Sequence, residues 1–562
     1  MRADSLGTPN VRTAPIAATE ERKQVPDSRG STGLAGLDGG RARFVSLKTH
    51  AADGRTSWWR ADTIAATVGL LLAIVLLPLA FIGPSIFVST LPLVLGSASL
   101  LYLWTDRNWT GTAHGALDRW RFGAAGAHWL LALTAVGLAG MIFMAIATGG
   151  RTTAFLGVAA GAGTLIFAQI FFLEDRVLRP RYLLAQLVAY ALLIRWMGLL
   201  LTPSPIGVDI WVHLDWATAI ASAGDLSPIA DNRYFASPLY HLLVVFAGDV
   251  FNSSLQTAVY ATLGLVVPLA LLVVYAATRP LLPVRWALFA TAAFVVADQV
   301  IRWGLHIIPT SLGLVFFVAV FYGTVKLSQS PGSLWLYAMV LVFGIATVLT
   351  HQISMAATLV FLGAGALAQL SDRFVTPRLS SRMTDRVRRP NFVGLLAVLL
   401  PVTIADWSMA PSGDESFFQT MIQAATGALS SIESLGLGTV QPAASDAVAA
   451  LFVDVPLWFN VLQALGFLVL LLIGLVGAYT VLRRYDASVL PLSWNLTTVA
   501  MLLIVFGMPM LQLYFLVPGR WYAFLYVPLI VLAAFGLHHV DLSLSPRTTV
   551  AVLVVLAVAF PG

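Results

Sequence analysis

Asp209-Ile210-Trp211-Val212-His213-Leu214-Asp215-Trp216 places two carboxylates and an imidazole among tryptophans within eight residues. A carboxylate can take a proton from an attacking hydroxyl, and an imidazole can orient that carboxylate or donate to an anion. If Ile210 onward is helical, Asp209, His213 and Trp216 fall at i, i+4 and i+7 and share one face. Asp215 then points elsewhere. The stretch follows a mostly apolar run, Arg181 to Leu201, long enough to cross a bilayer. Thr202, Pro203, Ser204 and Pro205 end that run. Acid–base chemistry beside a membrane exit, with aromatic rings suited to headgroup level, fits a lipid-linked substrate. The same spacing also fits an amphipathic interfacial helix whose acids are solvated.

The elements that must position these residues are set by composition. Hydrophobic residues make up 58% of the chain, charged residues 11%, and mean hydropathy is +0.84. A soluble domain carries about 25% charge. The expectation is an all-α, polytopic integral membrane protein. No cysteine is present, which excludes disulfides, thiol nucleophiles and Cys-ligated metals. The formal charge of +6 is a topology signal rather than a nucleic-acid footprint, because the basic residues collect on one side of the expected membrane.

Residues 1–61 are polar, rich in Gly, Ala, Ser, Thr and Arg, and carry no apolar period. They read as a disordered cytoplasmic tail. Apolar runs near 62–82, 84–104, 127–147, 153–173, 181–201, 256–278, 284–300, 309–327, 334–350, 353–370, 391–408, 459–482, 493–513, 519–537 and 547–561 give about fifteen expected transmembrane helices. With the N-terminus inside, Arg107, Arg119, Arg121, Arg176, Arg179, Arg181, Arg279, Arg285, Lys326, the loop Arg373 to Arg389, and Arg483 and Arg484 all fall inside. Two long loops fall outside. Residues 202–254 hold Arg233 against Asp209, Asp215, Asp225, Asp231 and Asp249, and 409–458 hold acids without Lys or Arg. Residues 62–175 read as an accessory four-helix bundle with few polar residues, and 181–562 as the core.

This topology gathers further polar residues on the outer side. Arg302 and His306 precede the span that starts at Pro309, His351 lies in Thr350-His351-Gln352, and Arg520 lies in Gly519-Arg520-Trp521-Tyr522. Ionisable groups near membrane depth are costly and mark function. Each has a plainer reading. Arg302 and Arg520 suit snorkelling anchors, His306 and His351 suit structural hydrogen bonds, and Asp298 suits an i, i+4 partner for Arg302. Asn252-Ser253-Ser254 fits a short glycosylation pattern. Phosphate-binding loops, H-E-x-x-H helices and G-x-S-x-G elbows are absent from the sequence.

Taken together, these residues resemble the GT-C class of polytopic glycosyltransferases, which includes protein O-mannosyltransferases, aminoarabinose transferases and oligosaccharyltransferase catalytic subunits. Gly207-Val208-Asp209-Ile210-Trp211-Val212-His213 looks like the opening of the first outer loop in prokaryotic members. Thr350-His351-Gln352 looks like their later outer histidine, and Gly519-Arg520-Trp521-Tyr522-Ala523-Phe524 like their late-helix arginine motif. The resemblance covers about residues 181–537. The chain departs from the class in having Val208 and Ile210 beside Asp209 where a second acid is common, in lacking a W-W-D motif, and in placing the loop after the fifth span.

The resemblance implies inverting transfer of a sugar from a polyprenyl-phosphate donor to a glycan, lipid or protein acceptor. It places the reaction on the extracytoplasmic face of the cell membrane, with membrane lipids and no nucleic acid as partners. In that reading Asp209 is the general base and His213 assists it. Arg520, Arg302 and His351 bind the donor phosphate, and Asp215, Arg233 and His306 are accessory. No metal ligands are assigned, and use of a divalent metal is left open. The alternatives are a non-catalytic flippase or exporter of lipid-linked glycans, and a polysaccharide polymerase or ligase.

Overall fold

The computed structural model describes residues 61–78, 86–107, 118, 120–201, 205–379, 390–412, 414–423, 426, 457–484, 489–508, 518–545 and 547–548. The expected tail, most of the loop 409–458 and the span 547–561 lie outside them.

The fold is all-α. Among the described residues ten helices are long and apolar enough to cross a membrane, or eleven if one bent pair counts as a span. The helices run in order as α1 (Ala61–Val75), α2 (Ile86–Arg107), α3 (Ala124–Thr148), α4 (Thr153–Phe172), α5 (Pro180–Leu201), α6 (Asp209–Ala223), α7 (Leu239–Phe251), α8 (Leu255–Thr278) and α9 (Val284–Val296). They continue as α10 (Asp298–His306), α11 (Pro309–Gln329), α12 (Leu334–Val348), α13 (Gln352–Leu379), α14 (Phe392–Met409), α15 (Leu457–Arg484), α16 (Val489–Leu502) and α17 (Tyr522–Ser543). The only strands among the described residues are Pro411–Ser412 and Glu415–Ser416, an antiparallel pair just after α14.

Among the described residues, three of the fifteen expected spans take another form. The expected span 284–300 breaks at Ala297 into α9 and the start of α10, which are bent by 53°. Helices α1 and α12 stop at 15 residues each, about 22 Å at 1.5 Å per residue, short of a ~30 Å hydrocarbon core.

Helix α17 is the axis of the assembly, buried on nearly every side. It packs most extensively on α15, and there backbone meets backbone. A Cβ added at Gly477 would lie 1.7 Å from the Leu532 carbonyl oxygen, and one at Gly536 would lie 2.2 Å from that of Ile473. Lipid tails are as apolar as leucine, so association in a bilayer depends on such close fit between small residues.

The four helices of 62–175 do not form one accessory bundle. Helices α1 and α2 pack on each other and on α15, whereas α3 and α4 pack on each other, on α5 and on α9. Several of their polar groups are paired. Gln169 donates to Thr134 (2.8 Å) and to Gln186 (2.7 Å), a buried network linking α3, α4 and α5. Mutual hydrogen bonds are what make such groups tolerable away from water.

Helix α5, 22 residues and about 33 Å long, separates two polar ends of the molecule. Near its start, Asp175 joins Arg285 (2.7 Å) and Arg121 (3.1 Å), while Arg285 also donates to the carbonyls of Ile170, Phe171 and Leu173 at the end of α4. Past its other end lies Asp209.

Candidate active site

Asp209 is the first residue of α6, where a carboxylate is favoured by the unpaired N–H groups of the helix start. Gly207, two residues earlier, has φ +101°, a conformation that side chains rarely adopt. Its missing Cβ also makes room for His306, whose Nδ1 would stand 3.2 Å from that carbon.

Arg520 closes the short 3-10 turn Pro518–Arg520 ahead of α17. Its Nη2 donates to Asp209 Oδ2 at 2.7 Å. The arginine is mostly covered, while the carboxylate is about half exposed, so the pair sits at the surface of the site. Arg520 is also within electrostatic reach of His213, His306 and His351.

His213 follows one turn after Asp209 on α6 and is buried. Its Nδ1 lies 3.0 Å from Nε2 of His241, on α7. Burial, His241, Arg520 and Arg233 push its pKa down to about 2, so the imidazole is neutral. His241 is likewise pushed down to about 4 by burial. The other ring nitrogen of His241, Nδ1, is buried without a partner. A buried N–H left without an acceptor is costly. The favoured arrangement therefore has His241 Nε2–H donating to His213 Nδ1, which leaves the His213 proton on Nε2. His213 is then a fixed hydrogen-bond donor rather than a base.

Aromatic rings enclose the histidine pair. His213 meets Trp216 (5.3 Å between centroids), Tyr234 (5.0 Å) and Tyr240 (5.6 Å) edge-on. The segment from Asp209 to Phe251 is thus a folded helical hairpin with a small core of Ile220, Ile229 and Tyr234. It is tied to the rest by Leu239 N–H to Leu349 O, 2.8 Å.

His351 bridges α11 and α13. Ser354 N–H donates to its Nδ1 (3.3 Å), and Nε2 lies 3.2 Å from the Thr310 hydroxyl. These partners assign the proton to Nε2 and occupy both nitrogens. The ring is 1% exposed. Although expected to bind phosphate, it occupies a structural position behind the Arg520 pair. Next to it, Gln352 donates to the Arg233 carbonyl (3.2 Å) and to Ser237 (3.4 Å), and Ser237 reaches Asp406 of α14 (3.4 Å).

Arg302 is exposed on α10, its guanidinium 5.6 Å from the Trp303 ring centroid. It is not an i, i+4 partner of Asp298, whose carboxylate instead accepts from Tyr526 (2.6 Å) and Gln299 (2.9 Å). Arg302 approaches the site through His306, which is within electrostatic reach of Arg302, Asp209 and Arg520. Arg233 is exposed and lies over Tyr234 at 5.4 Å. Asp215 is exposed and off the Asp209–His213 face, as its spacing indicated.

Sequence reasoning missed His241, Tyr234, Ser237 and Asp406. His241 is the third residue of an apolar helix, with nothing nearby in sequence to distinguish it. It also missed Ile307, at φ +39°, a β-branched residue in the left-handed region between α10 and α11. Its carbonyl receives the Tyr240 hydroxyl at 2.6 Å, which pins the bend beside the site. Among the described residues no three His, Asp or Glu side chains converge as metal ligands.

Fold and site define a multi-pass helical membrane protein with an acid–arginine pair at one end of its bundle. No protein-family model matches the chain, and no curated protein matches it.

Proposed function

We propose that this protein is a membrane glycosyltransferase of the GT-C kind, using a polyprenyl-phosphate sugar donor on the extracytoplasmic face of the cell membrane. The observation that carries this reading is the Asp209–Arg520 pair, a candidate base held against a candidate phosphate ligand at 2.7 Å. The acceptor hydroxyl gives its proton to the Asp209 carboxylate as its oxygen bonds to the anomeric carbon. The bond from that carbon to the phosphate oxygen breaks, and the polyprenyl phosphate leaves with the electron pair. Arg520 suits the charge that develops on it, because a guanidinium is always charged and binds phosphate through two donors. Arg520 is engaged by Asp209. A donor phosphate competes for Arg520 and frees Asp209 for the acceptor. Exposed Arg302, near His306, and Arg233, near His213, add positive charge around the site.

The basic end at Arg121, Asp175 and Arg285 is assigned to the cytoplasm, and Asp209 to the opposite side, by the loop charge asymmetry. The exporter reading requires polar groups that line a path between the two ends. Gln169, Gln186 and Thr134 instead satisfy one another within the helix packing, which favours the enzyme.

The test is a transfer assay with purified protein and a panel of polyprenyl-phosphate sugars. Incorporation of sugar into an acceptor that depends on Asp209 is the expected result. Flux of intact lipid-linked glycan across vesicles, without transfer from any donor, sinks the proposal in favour of the exporter.

A further inference from the structure

Two arginines near the same end of the bundle are used by nothing described so far. Arg195 lies in α5, within two turns of its end, and is 1% exposed. Its terminal nitrogens donate to the carbonyls of Ala191 (3.0 Å) and Val300 (3.3 Å), and its Nε has no partner. Arg151 lies in the turn before α4; its Nε is buried without a partner, and it forms no ion pair among the described residues. The two cations are close enough to repel each other, and both act on the Tyr190 hydroxyl.

Backbone space is reserved for both. A Cβ on Gly304 would lie 2.2 Å from Arg195 Nε, and one on Gly198 would lie 2.9 Å from Arg151 Cδ. Facing helices α5 and α10 thus each present a glycine where an arginine packs. Among the described residues no ion pair joins an acid to either of them. Helix α5 contains no acid, and the one acid of α10, Asp298, is held by Tyr526 and Gln299. Snorkelling does not explain the arrangement, since a snorkelling arginine carries its charge out to water whereas Arg195 is enclosed by protein. Arg195 is buried, Arg151 beside it is partly buried with its Nε covered, and such a pair of like charges without a counterion is costly unless an anion joins them.

We propose that Arg151 and Arg195 form a second anion-binding position, distinct from Asp209–Arg520, that holds the phosphate of a membrane lipid. The start of α4 adds its own unpaired N–H groups beside Arg151. The position adjoins the candidate active site: Leu305 touches the Gly198 side, and the next residue, His306, stands against Gly207. The ligand chemistry is a phosphate ester on a lipid, either a phosphodiester headgroup or a polyprenyl monophosphate. The inference rests on the multi-pass fold and not on glycosyl transfer.

The test is native mass spectrometry of the full chain released from detergent, after incubation separately with phosphatidylglycerol and with a polyprenyl monophosphate. Arg151→Gln is expected to lower retention of at least one of them about tenfold, the order of a lost charge-assisted contact. Gly198→Ala, which displaces Arg151, should act in the same direction. Arg176→Gln, at an exposed arginine near the other end, and Arg520→Gln should leave phosphatidylglycerol retention unchanged. A loss confined to phosphatidylglycerol identifies a resident phospholipid, a loss confined to the monophosphate identifies the carrier, and loss of both identifies a shared site. Arg151→Gln decides, because Arg195 is fully enclosed and its replacement also tests folding. Equal retention of both lipids by Arg151→Gln and the parent overturns the proposal, as does an equal loss of phosphatidylglycerol in Arg520→Gln.

Discussion

Arg520 Nη2 and Asp209 Oδ2 stand 2.7 Å apart although 311 positions separate them in the chain. One arrives at the start of the buried axial helix and the other at the start of the hairpin helix after α5. Only the folded bundle makes them neighbours, and their chemistry gives the first prediction.

Asp209→Asn keeps the size of the side chain and removes its charge. Expression should stay near normal and donor binding should be kept or tighten, because Arg520 loses its charged competitor, while turnover in a transfer assay falls by ~10²-fold or more, the order of a general-base contribution. Asp215→Asn is the control, because Asp215 is exposed and off the face. Arg520→Lys keeps the charge but loses the planar fork, so donor affinity should weaken. Matched, mild losses at Asp209 and Asp215 would return α6 to a solvated interfacial helix.

The His213–His241 pair predicts a pH response. Both imidazoles are held below the unfolded value of about 6.5, so the unfolded chain binds more protons as pH falls. Their contribution is complete above pH ~6.5 and is lost as pH drops below it, by at most roughly 1.4 kcal/mol per pH unit for each group. Thermal unfolding followed from pH 7.5 to 5 should show falling stability, and His213→Gln should flatten the slope. An unchanged slope in that variant would remove the pair as the source.

Ile307 offers a backbone test. Its positive φ costs of order 1–3 kcal/mol for a non-glycine residue, yet truncating a fully buried isoleucine costs about 2–5 kcal/mol. Ile307→Ala loses the packing and keeps the strain. Ile307→Gly loses slightly more packing and releases the strain. Both should be less stable than the parent, and Gly should exceed Ala by ~1 kcal/mol, the reverse of the order in a helix interior. Denaturation of the three proteins in one detergent checks the order.

Gly477 tests the packing of the axis. An added methyl would meet the Leu532 carbonyl at 1.7 Å, and backbone on a packed helix cannot swing aside as a side chain can. Gly477→Ala should sharply reduce the folded fraction on size-exclusion chromatography. Ala substitution at Gly161, where nothing lies within 4 Å, should be silent.

Orientation can be read directly, because the native chain has no cysteine. Single cysteines at Asp215 and Arg176, both exposed, should label with an impermeant maleimide from opposite sides of the membrane, Asp215 from outside. Labelling of both from one side would overturn the topology.

The sequence by itself determined the class of molecule and most of its helices. Long apolar runs have few ways to satisfy their backbone groups in a bilayer, so hydropathy along the chain is enough to find them. The helical face shared by Asp209 and His213 was legible for a similar reason: helix periodicity is local. The loop charges assigned Asp209 and Arg520 to one side and the Gly519-Arg520-Trp521-Tyr522 stretch singled out the arginine, but their contact depends on α17 lying at the centre of the bundle, where Gly477 and Gly536 allow close packing. His241 became the partner of His213 only when the hairpin closed. The bend at Ala297 turned an expected span into two helices, and Ile307, in the left-handed region, turns the second of them into α11 where His306 meets Gly207. Arg195, unremarkable within an apolar run, became a buried cation because Gly304 left it room. Contacts between distant segments are decided by packing, and a single sequence does not carry that geometry in its local pattern.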